Sequence, residues 1–232
     1  MKTAAIILAA GSGKRMQAGQ NKLFLTLYGK TVLEHTVQAF QESALIDGIL
    51  LVTKDTEMAW VERLVPRSHY DKIIGYTIGG KERQDSVLCG LENLPTVYER
   101  VLIHDGARPF VTEALIAKLL AQLTPECGVI AGVPVKDTIK RVDAWGMVQE
   151  TPARSQLWQV QTPQCFYTAA ILECYRKAQE NGFIATDDAS VAEQYGLPVK
   201  VEEAYYENIK LTTPEDLETA EIFYQRMRKN EK

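Results

Sequence analysis

A loop near the N-terminus has a composition suited to holding a polyphosphate. Gly11 and Gly13 allow a tight turn that brings backbone N–H groups close to phosphate oxygens, and Lys14, Arg15 and Lys22 add three cations with no acid between them. The loop follows an apolar run, as a turn after a strand does. We interpret it as a nucleotide-binding loop, and a basic surface turn between a strand and a helix is the alternative.

The spacing within this loop separates the known phosphate motifs. A dinucleotide-binding fingerprint needs a third glycine where the chain has Met16, and a P-loop needs serine or threonine after the lysine, where the chain has Arg15. What remains is Gly-x-Gly-x-Arg with a trailing lysine. This pattern is typical of nucleotidyltransferases that act at the α-phosphate of a nucleoside triphosphate.

A second candidate is the acid that follows the apolar run 100–104. Ligands of open parallel sheets collect at the carboxyl ends of strands, so Asp105 can face the same crevice as the first loop. We predict Asp105 as a ligand of Mg²⁺, which takes few oxygens from protein and the rest from phosphates and water. Capping of the following turn is the alternative. His104 fits a packed core residue, and Arg108 fits a brace for that turn.

Two further segments could contact a substrate. Gly80 allows close backbone approach, and Arg83 and Ser86 lie three residues apart, so they share a helical face from which they could bond a base or ribose. A solvated helix start would look much the same. Thr186 and Asp187 offer a hydroxyl and a carboxylate to a polyol, with a helix N-cap as the equal alternative.

Several cations occur late in the chain. Lys140, Arg141 and Arg154, each taken alone, fit solvated surface charges. Lys210 differs because it lies inside a short strand-like segment that precedes a capped helix. Lys210 is therefore the late cation that the residues themselves mark as a site candidate.

Apolar runs and helical patterns alternate along the first part of the chain. The predicted strands are 4–9, 48–53, 72–78, 100–104 and 128–135, and the predicted helices are 31–41, 56–65, 84–94 and 113–123. The strands are apolar throughout, as expected when helices cover both faces of a sheet. We predict an α/β fold with a doubly wound, mostly parallel, Rossmann-like sheet.

The rhythm changes at about 136–156, where two half-polar strands flank a turn that contains Gly146. We predict a projecting β-hairpin arm. Because an isolated hairpin is only marginally stable, we expect the arm to pack on another surface, and a partner subunit is the simplest candidate. Beyond the arm we predict helices 168–181 and 188–195, strands 199–202 and 208–211, and a final helix with Thr213 as N-cap and Pro214 as its first residue.

Composition excludes several classes. The 232 residues with 46% hydrophobic content suit one domain, 1–232, and a formal net charge of −4 gives no general attraction to nucleic acid or to an anionic membrane. No apolar stretch reaches the length of a membrane span. Four scattered cysteines without a CxxC pair, and no export signal, predict reduced thiols and a cytoplasmic protein.

Taken together, the motifs resemble those of the 2-C-methyl-D-erythritol 4-phosphate cytidylyltransferases over nearly the whole chain. The matching segments, in order and spacing, are 9–16 (AAGSGKRM), Lys22, 79–87 (GGKERQDSV), 104–110 (HDGARPF), 134–142 (PVKDTIKRV), 162–164 (TPQ), 186–190 (TDDAS) and 208–217 (NIKLTTPEDL). Ribitol 5-phosphate cytidylyltransferases share chiefly the first loop, HD-x-x-RP and TPQ, and are the alternative. A nucleotide-binding protein of this fold without turnover is a second alternative.

The resemblance implies transfer of CMP from CTP to methylerythritol 4-phosphate with Mg²⁺, in a homodimer whose hairpin arms cross between subunits. Arg15 and Lys22 would stabilise the pentacoordinate transition state, Lys210 would place the phosphates, and Arg154 with Thr138 would hold the acceptor phosphate. The residues that would contact CTP are Ala9, Ala10, Gly11, Ser12, Gly13, Gly80, Arg83 and Ser86. Lys81 stands where some members have aspartate, so a cytidine contact there would be through the backbone.

Overall fold

The fold is built on a seven-stranded sheet in the order β11-β7-β10-β6-β1-β4-β5. The computed structural model describes residues 1–11 and 22–230. The strands in this part of the chain are β1 (Lys2–Leu8), β2 (Thr26–Leu27), β3 (Lys30–Thr31), β4 (Gly48–Thr53), β5 (Ile73–Ile78), β6 (Tyr98–Asp105), β7 (Gly128–Pro134), β8 (Arg141–Val142), β9 (Val148–Glu150), β10 (Trp158–Tyr167) and β11 (Val199–Glu203). The helices are α1 (Val32–Glu42), α2 (Met58–Leu64), α3 (Arg83–Asn93), α4 (Glu113–Gln122), α5 (Thr168–Glu180), α6 (Asp188–Gln194) and α7 (Pro214–Asn230).

The predicted doubly wound, mostly parallel sheet is confirmed. Strand β1 pairs in parallel with β4 and β6, β4 with β5, and β7 with β11. Alternate residues of β1 enter opposite layers: Ile7 packs with Phe40 of α1 on one face, and Ile6 packs with Leu91 of α3 on the other. Both faces of the sheet are therefore covered, which is why its strands read as continuous apolar runs.

Strand β10 was not predicted. It runs antiparallel between β6 and β7, and its pairing with β7 shifts register between Val160 and Gln164. Pro163 and a series of polar residues interrupt the apolar pattern that marks a central strand, so the sequence does not resemble one. The shift brings Gln161, Thr162 and Gln164, all buried, to the end of the sheet where the site lies.

The predicted strand at 208–211 is wrong. Strand β11 occupies the edge beside β7, and the segment instead makes a turn, with Asn208 N–H donating to Tyr205 O. The buried Asn208 amide donates to Gln161 Oε1 and to the Thr162 carbonyl, and Leu211 N–H donates to Ala107 O. This segment is thus fixed by side-chain bonds across the site and not by a sheet ladder.

The hairpin arm is present but its strands are shorter than predicted. Arg141 of β8 forms an ion pair of 2.7 Å with Glu150 of β9, and Gly146 takes a positive φ of 82° in the connecting turn. Large apolar side chains remain exposed along the arm, with Trp145 87% and Met147 65% accessible.

In the part of the chain that the structure describes, no helix is long and apolar enough to cross a membrane.

Candidate active site

A cleft of about 560 Å³ opens where β1 and β6 end, as the parallel topology predicts. Most of the described residues that the sequence marks for nucleotide, metal or catalysis line it: Ala10, Gly11, Lys22, Gly80, Arg83, Ser86, Asp105 and Lys210. Lys54, Lys81 and Glu82 also line it. Ala9 is fully buried below the rim, with its N–H donating to Val52 O. Ser12, Gly13, Lys14 and Arg15 lie outside the described residues.

Asp105 is the electrostatic centre of this cleft. Its Oδ2 accepts from Lys210 Nζ at 2.8 Å, and its Oδ1 accepts from Arg83 Nε at a longer 3.3 Å. Burial alone would raise the pKa of this carboxyl, but the cations of Arg83 and Lys210 lower it well below its usual range. Asp105 is therefore an anion at any physiological pH.

Arg83 lies in the wall between this cleft and a second one. Its two terminal nitrogens donate to the two carboxylate oxygens of Asp188, each at 2.8 Å, and Asp188 also accepts from the hydroxyl of Tyr175. Burial alone would lower the pKa of Arg83, but the paired carboxylate of Asp188 raises it well above its usual range. The predicted contact of Arg83 with base or ribose stays a prediction. In the structure Arg83 links two carboxylates, those of Asp188 and Asp105.

Ser86 and Gly80 stabilise the turn that begins α3. Ser86 is buried, and its hydroxyl donates to the Glu82 carbonyl at 3.0 Å, while Asp85 and Glu82 form a capping box at the start of α3. A Cβ added to Gly80 would lie 2.2 Å from the Cβ of Asp85, so only glycine fits this turn. The tight loop keeps the helix start open to the cleft.

A buried hydrogen-bonded chain fixes the turn after β6. His104 Nε2 lies 3.0 Å from the Arg108 carbonyl, so this nitrogen carries the proton, and Nδ1 accepts from the Thr162 hydroxyl at 3.0 Å. Thr162 Oγ1 in turn accepts from Asp105 N–H at 3.0 Å. The interpretation of His104 as a core residue is confirmed. Arg108 donates to the Asn208 carbonyl at 2.7 Å, which confirms it as a brace.

His104 predicts a pH-dependent stability. Burial lowers the pKa of His104 from 6.5 to about 4. Between these two pH values the histidine is protonated in the unfolded chain but neutral in the folded protein. Stability from this residue is complete above pH 6.5 and is lost as pH falls toward 4, by about 3 kcal/mol. Urea unfolding at several pH values should show this loss in the wild type and its absence in His104→Asn. Parallel curves for the two proteins would contradict the assignment.

Thr162 predicts a hydroxyl-specific effect. Thr162→Val leaves Asp105 N–H and His104 Nδ1 without a partner, and we expect a loss of about 1–3 kcal/mol in unfolding free energy. Thr162→Ser keeps the hydroxyl and is the matched control, with a smaller loss. The measurement is denaturant unfolding at pH 7.5. A loss in Thr162→Val no larger than that in Thr162→Ser would contradict the prediction, because the hydroxyl would then contribute no more than the methyl group.

The second cleft, of about 450 Å³, lies beyond Arg83 and is lined by Thr186, Asp187 and Ser190 among others. Asp187 proves to be the N-cap of α6: its Oδ1 accepts from Ser190 N–H at 2.9 Å, and its Oδ2 accepts from Gln164 at 2.8 Å. Both oxygens of Asp187 are thus engaged, as the capping alternative requires. Thr186 stays exposed, its hydroxyl 3.2 Å from that of Ser190.

The two residues that the resemblance assigns to acceptor-substrate binding at the arm do not line either cleft of their own chain. Thr138 and Arg154 are exposed, and neither lines the nucleotide cleft or the second cleft. Arg154 donates to the Lys136 carbonyl at 2.8 Å, at the base of the arm. Their role in acceptor binding remains a prediction.

The sequence did not single out several residues of the site. Asp188, Gln161, Gln164 and Asn208 are all buried. Gln161 and Gln164 line the second cleft, and Asp188 and Asn208 each bond a residue that borders a cleft. Asp188 carried a signal as the second acid of a pair beside a predicted helix start. Gln164 and Asn208 lie in the matching segments 162–164 and 208–217, but the sequence assigned neither of them a role. Gln161 carried no signal, because its segment has no clear strand pattern.

The fold and this cleft define a nucleotide-binding α/β protein of the nucleotidyltransferase class: a glycine-rich loop after β1, a carboxylate after β6 and lysines at the rim. The family model for 2-C-methyl-D-erythritol 4-phosphate cytidylyltransferase matches residues 3–226. The chain therefore belongs to that family.

Individual relatives agree with the family match. The cytidylyltransferase of this name from Geobacillus thermodenitrificans is 47% identical over 95% of this chain and 96% of its own length, and that from Geotalea uraniireducens is 43% identical over 96% and 97%. Among solved structures, 4-diphosphocytidyl-2C-methyl-D-erythritol synthase from Anaerococcus prevotii superposes with a TM-score of 0.86 at 34% identity, covering 97% and 96% of the two chains. The cytidylyltransferase from Thermus thermophilus gives 0.76 at 30%, covering 95% and 98%.

Proposed function

We propose that the protein transfers CMP from CTP to 2-C-methyl-D-erythritol 4-phosphate and releases pyrophosphate. The observation that carries this proposal is the cleft at the carboxyl ends of β1 and β6, which Lys22, Asp105 and Lys210 line together, with Lys210 2.8 Å from Asp105. An acceptor phosphate oxygen attacks the α-phosphorus, and the bond from that phosphorus to the β-phosphate oxygen breaks. The transferred group carries negative charge throughout, so neutralisation and positioning supply the catalysis.

The residues of the cleft have separate tasks in this proposal. Lys22 neutralises charge that develops on the α-phosphate, and Lys210, held 2.8 Å from Asp105 in the same cleft, helps to place the phosphates. Arg15 acts with Lys22, by the family resemblance. Backbone N–H groups around Gly11 and Gly80 approach the nucleotide closely, because glycine leaves room there.

Asp105 fits a Mg²⁺ ligand. No cluster of three or more His, Cys, Asp or Glu side chains that could hold a metal occurs in residues 1–11 and 22–230, so an all-protein cage is absent from that part of the chain. One ionised carboxylate facing a triphosphate cleft suits Mg²⁺, which takes most of its ligands from phosphates and water. Bound there, Mg²⁺ would neutralise triphosphate charge. Asp105 would hold it, and Lys210 would keep Asp105 oriented.

The acceptor side of the proposal rests on the second cleft and on a dimer. Thr186 offers an exposed hydroxyl beside Ser190, and Arg83, Asp105 and Lys210 border both clefts, so an acceptor seated there would adjoin the nucleotide. The exposed apolar side chains of the arm, Trp145 above all, need a covering surface. A second copy of the chain would supply it and would bring Arg154 and Thr138 to its partner's site. We place the reaction in the cytoplasm, in keeping with four free cysteines.

The test is pyrophosphate release from CTP in the presence of Mg²⁺ with two acceptors in parallel. We expect turnover with methylerythritol 4-phosphate and little with ribitol 5-phosphate. Preference for ribitol 5-phosphate would assign the alternative substrate. CTP binding without release from either acceptor would instead favour a nucleotide-binding protein without turnover.

A further inference from the structure

A buried carboxylate behind the nucleotide cleft has no task in the reaction described above. Asp188 is the first residue of α6, and its side chain is fully buried, with 0% exposure. It accepts two bonds from Arg83 and one from the Tyr175 hydroxyl, and Tyr175 is itself 1% exposed. Burying a charge costs free energy unless the charge is paired, and the bonds from Arg83 and Tyr175 supply that pairing for Asp188.

The geometry of Arg83 shows what the pairing controls. Both terminal nitrogens point at Asp188, and only Nε is left to face Asp105, at 3.3 Å. A guanidinium forms its strongest contact with a carboxylate through two parallel N–H bonds, and here Asp188 has taken that contact. Asp105 therefore does not form the two-nitrogen contact with Arg83, and Lys210, at 2.8 Å, is its closer cation.

We propose that Asp188 is a positioning residue that holds Arg83 away from Asp105, so that the Asp105 carboxylate stays open to the nucleotide's cation and to Lys210. Without the charge of Asp188, the guanidinium has one carboxylate within reach, and it turns to bind Asp105 with two nitrogens. That contact displaces Lys210 and occupies the oxygens that face the cleft. The inference rests on the proposed role of Asp105 toward Mg²⁺.

The experiment measures CTP binding by calorimetry, with Mg²⁺ and with a chelator, in dimeric full-length protein. The readout is the ratio of the two affinities, which reports how far the cation strengthens nucleotide binding. In Asp188→Asn we expect this ratio to fall at least about fivefold relative to the wild type. Affinity in chelator changes less than affinity in Mg²⁺, because Asp105 then has no Mg²⁺ to hold. A merely structural defect lowers both affinities together and leaves the ratio intact.

Two further variants make the test specific. Arg83→Gln combined with Asp188→Asn removes the guanidinium that would occupy Asp105, so the ratio should return toward the wild-type value even if CTP binds more weakly overall. Tyr175→Phe removes one bond to Asp188 but keeps its charge, and its ratio should match the wild type. Circular dichroism establishes that each variant is folded.

The outcomes separate this inference from the one beneath it. If the wild type binds CTP equally well with Mg²⁺ and with chelator, the assignment of Asp105 to the cation fails, and the role of Asp188 fails with it. If the wild type responds to Mg²⁺ but Asp188→Asn keeps the full ratio, or the double variant does not recover it, only the role of Asp188 is overturned. Should Asp188→Asn not fold, the double variant decides: a ratio well below the wild type overturns the proposal, and one near it supports it.

Discussion

Lys22→Ala is expected to lower kcat by about a hundredfold or more, with little change in the dissociation constant for CTP. Lys22 lines the nucleotide cleft and follows the glycine-rich segment 9–16 in the chain, and Lys210 borders the same space from the segment before α7. A cation whose contact strengthens as charge builds on the α-phosphate stabilises the transition state more than the bound substrate. Its loss therefore appears in turnover. Single-turnover kinetics and equilibrium CTP binding measure the two quantities separately.

Lys54→Ala is the matched control for this prediction. Lys54 lines the same cleft, but its ammonium lies 3.7 Å from Glu57 and its charge is shared with that carboxylate. Removing it subtracts one positive charge from the cleft without touching the loop that follows β1. We expect its kcat to stay within about tenfold of the wild type, as for a partly exposed ion pair. Equal losses in both variants would mean that general charge, and not the position of Lys22, determines the rate.

The parts of the fold that the sequence predicted correctly share one physical cause. Strands such as β4 and β6 are buried on both faces, so their apolar runs are long and their boundaries shift by only a residue or two from the prediction. Strand β10 is equally central but carries Gln161, Thr162 and Gln164, whose polar groups bond buried partners. Its pattern is set by the site and not by the core, so periodicity could not reveal it.

The same division holds within the site. Asp105 and the Gly80 loop could be placed together from the sequence because the carboxyl ends of parallel strands share one edge of the sheet. Asp188 could not be placed, since its partner Arg83 is 105 residues away and the contact depends on how α6 packs beside α3. Asp187 shows the converse: its carboxylate caps α6 and also lines the second cleft, so its contact with an acceptor stays a prediction. Local sequence indicates which residues could react, and packing decides which are available.

The arm carries a predicted acceptor-binding residue outside the clefts of its own chain. Arg154 lies at its base and donates to the Lys136 carbonyl, outside both clefts of its own chain. Six residues of the arm and its flank expose large apolar side chains, namely Ile139, Val142, Trp145, Met147, Val148 and Trp158. An apolar surface of this kind on a projecting hairpin is stabilised when a symmetric partner covers it. The arms of a two-fold dimer would then carry each Arg154 toward the other subunit.

Arg154→Ala is accordingly expected to raise KM for the acceptor by about tenfold or more, with a smaller effect on CTP binding, because a charge-assisted bond to the acceptor phosphate is lost. Arg154→Lys is the matched control and should retain part of that affinity.

Mixing Arg154→Ala with Lys22→Ala, after unfolding and refolding together, tests the exchange of arms. One site of each mixed dimer would then contain both substitutions and the other neither, so an equal mixture, assayed at an acceptor concentration well below KM, should recover about a quarter of wild-type activity. Activity no higher than the average of the two separate variants would show that each site is built from a single chain.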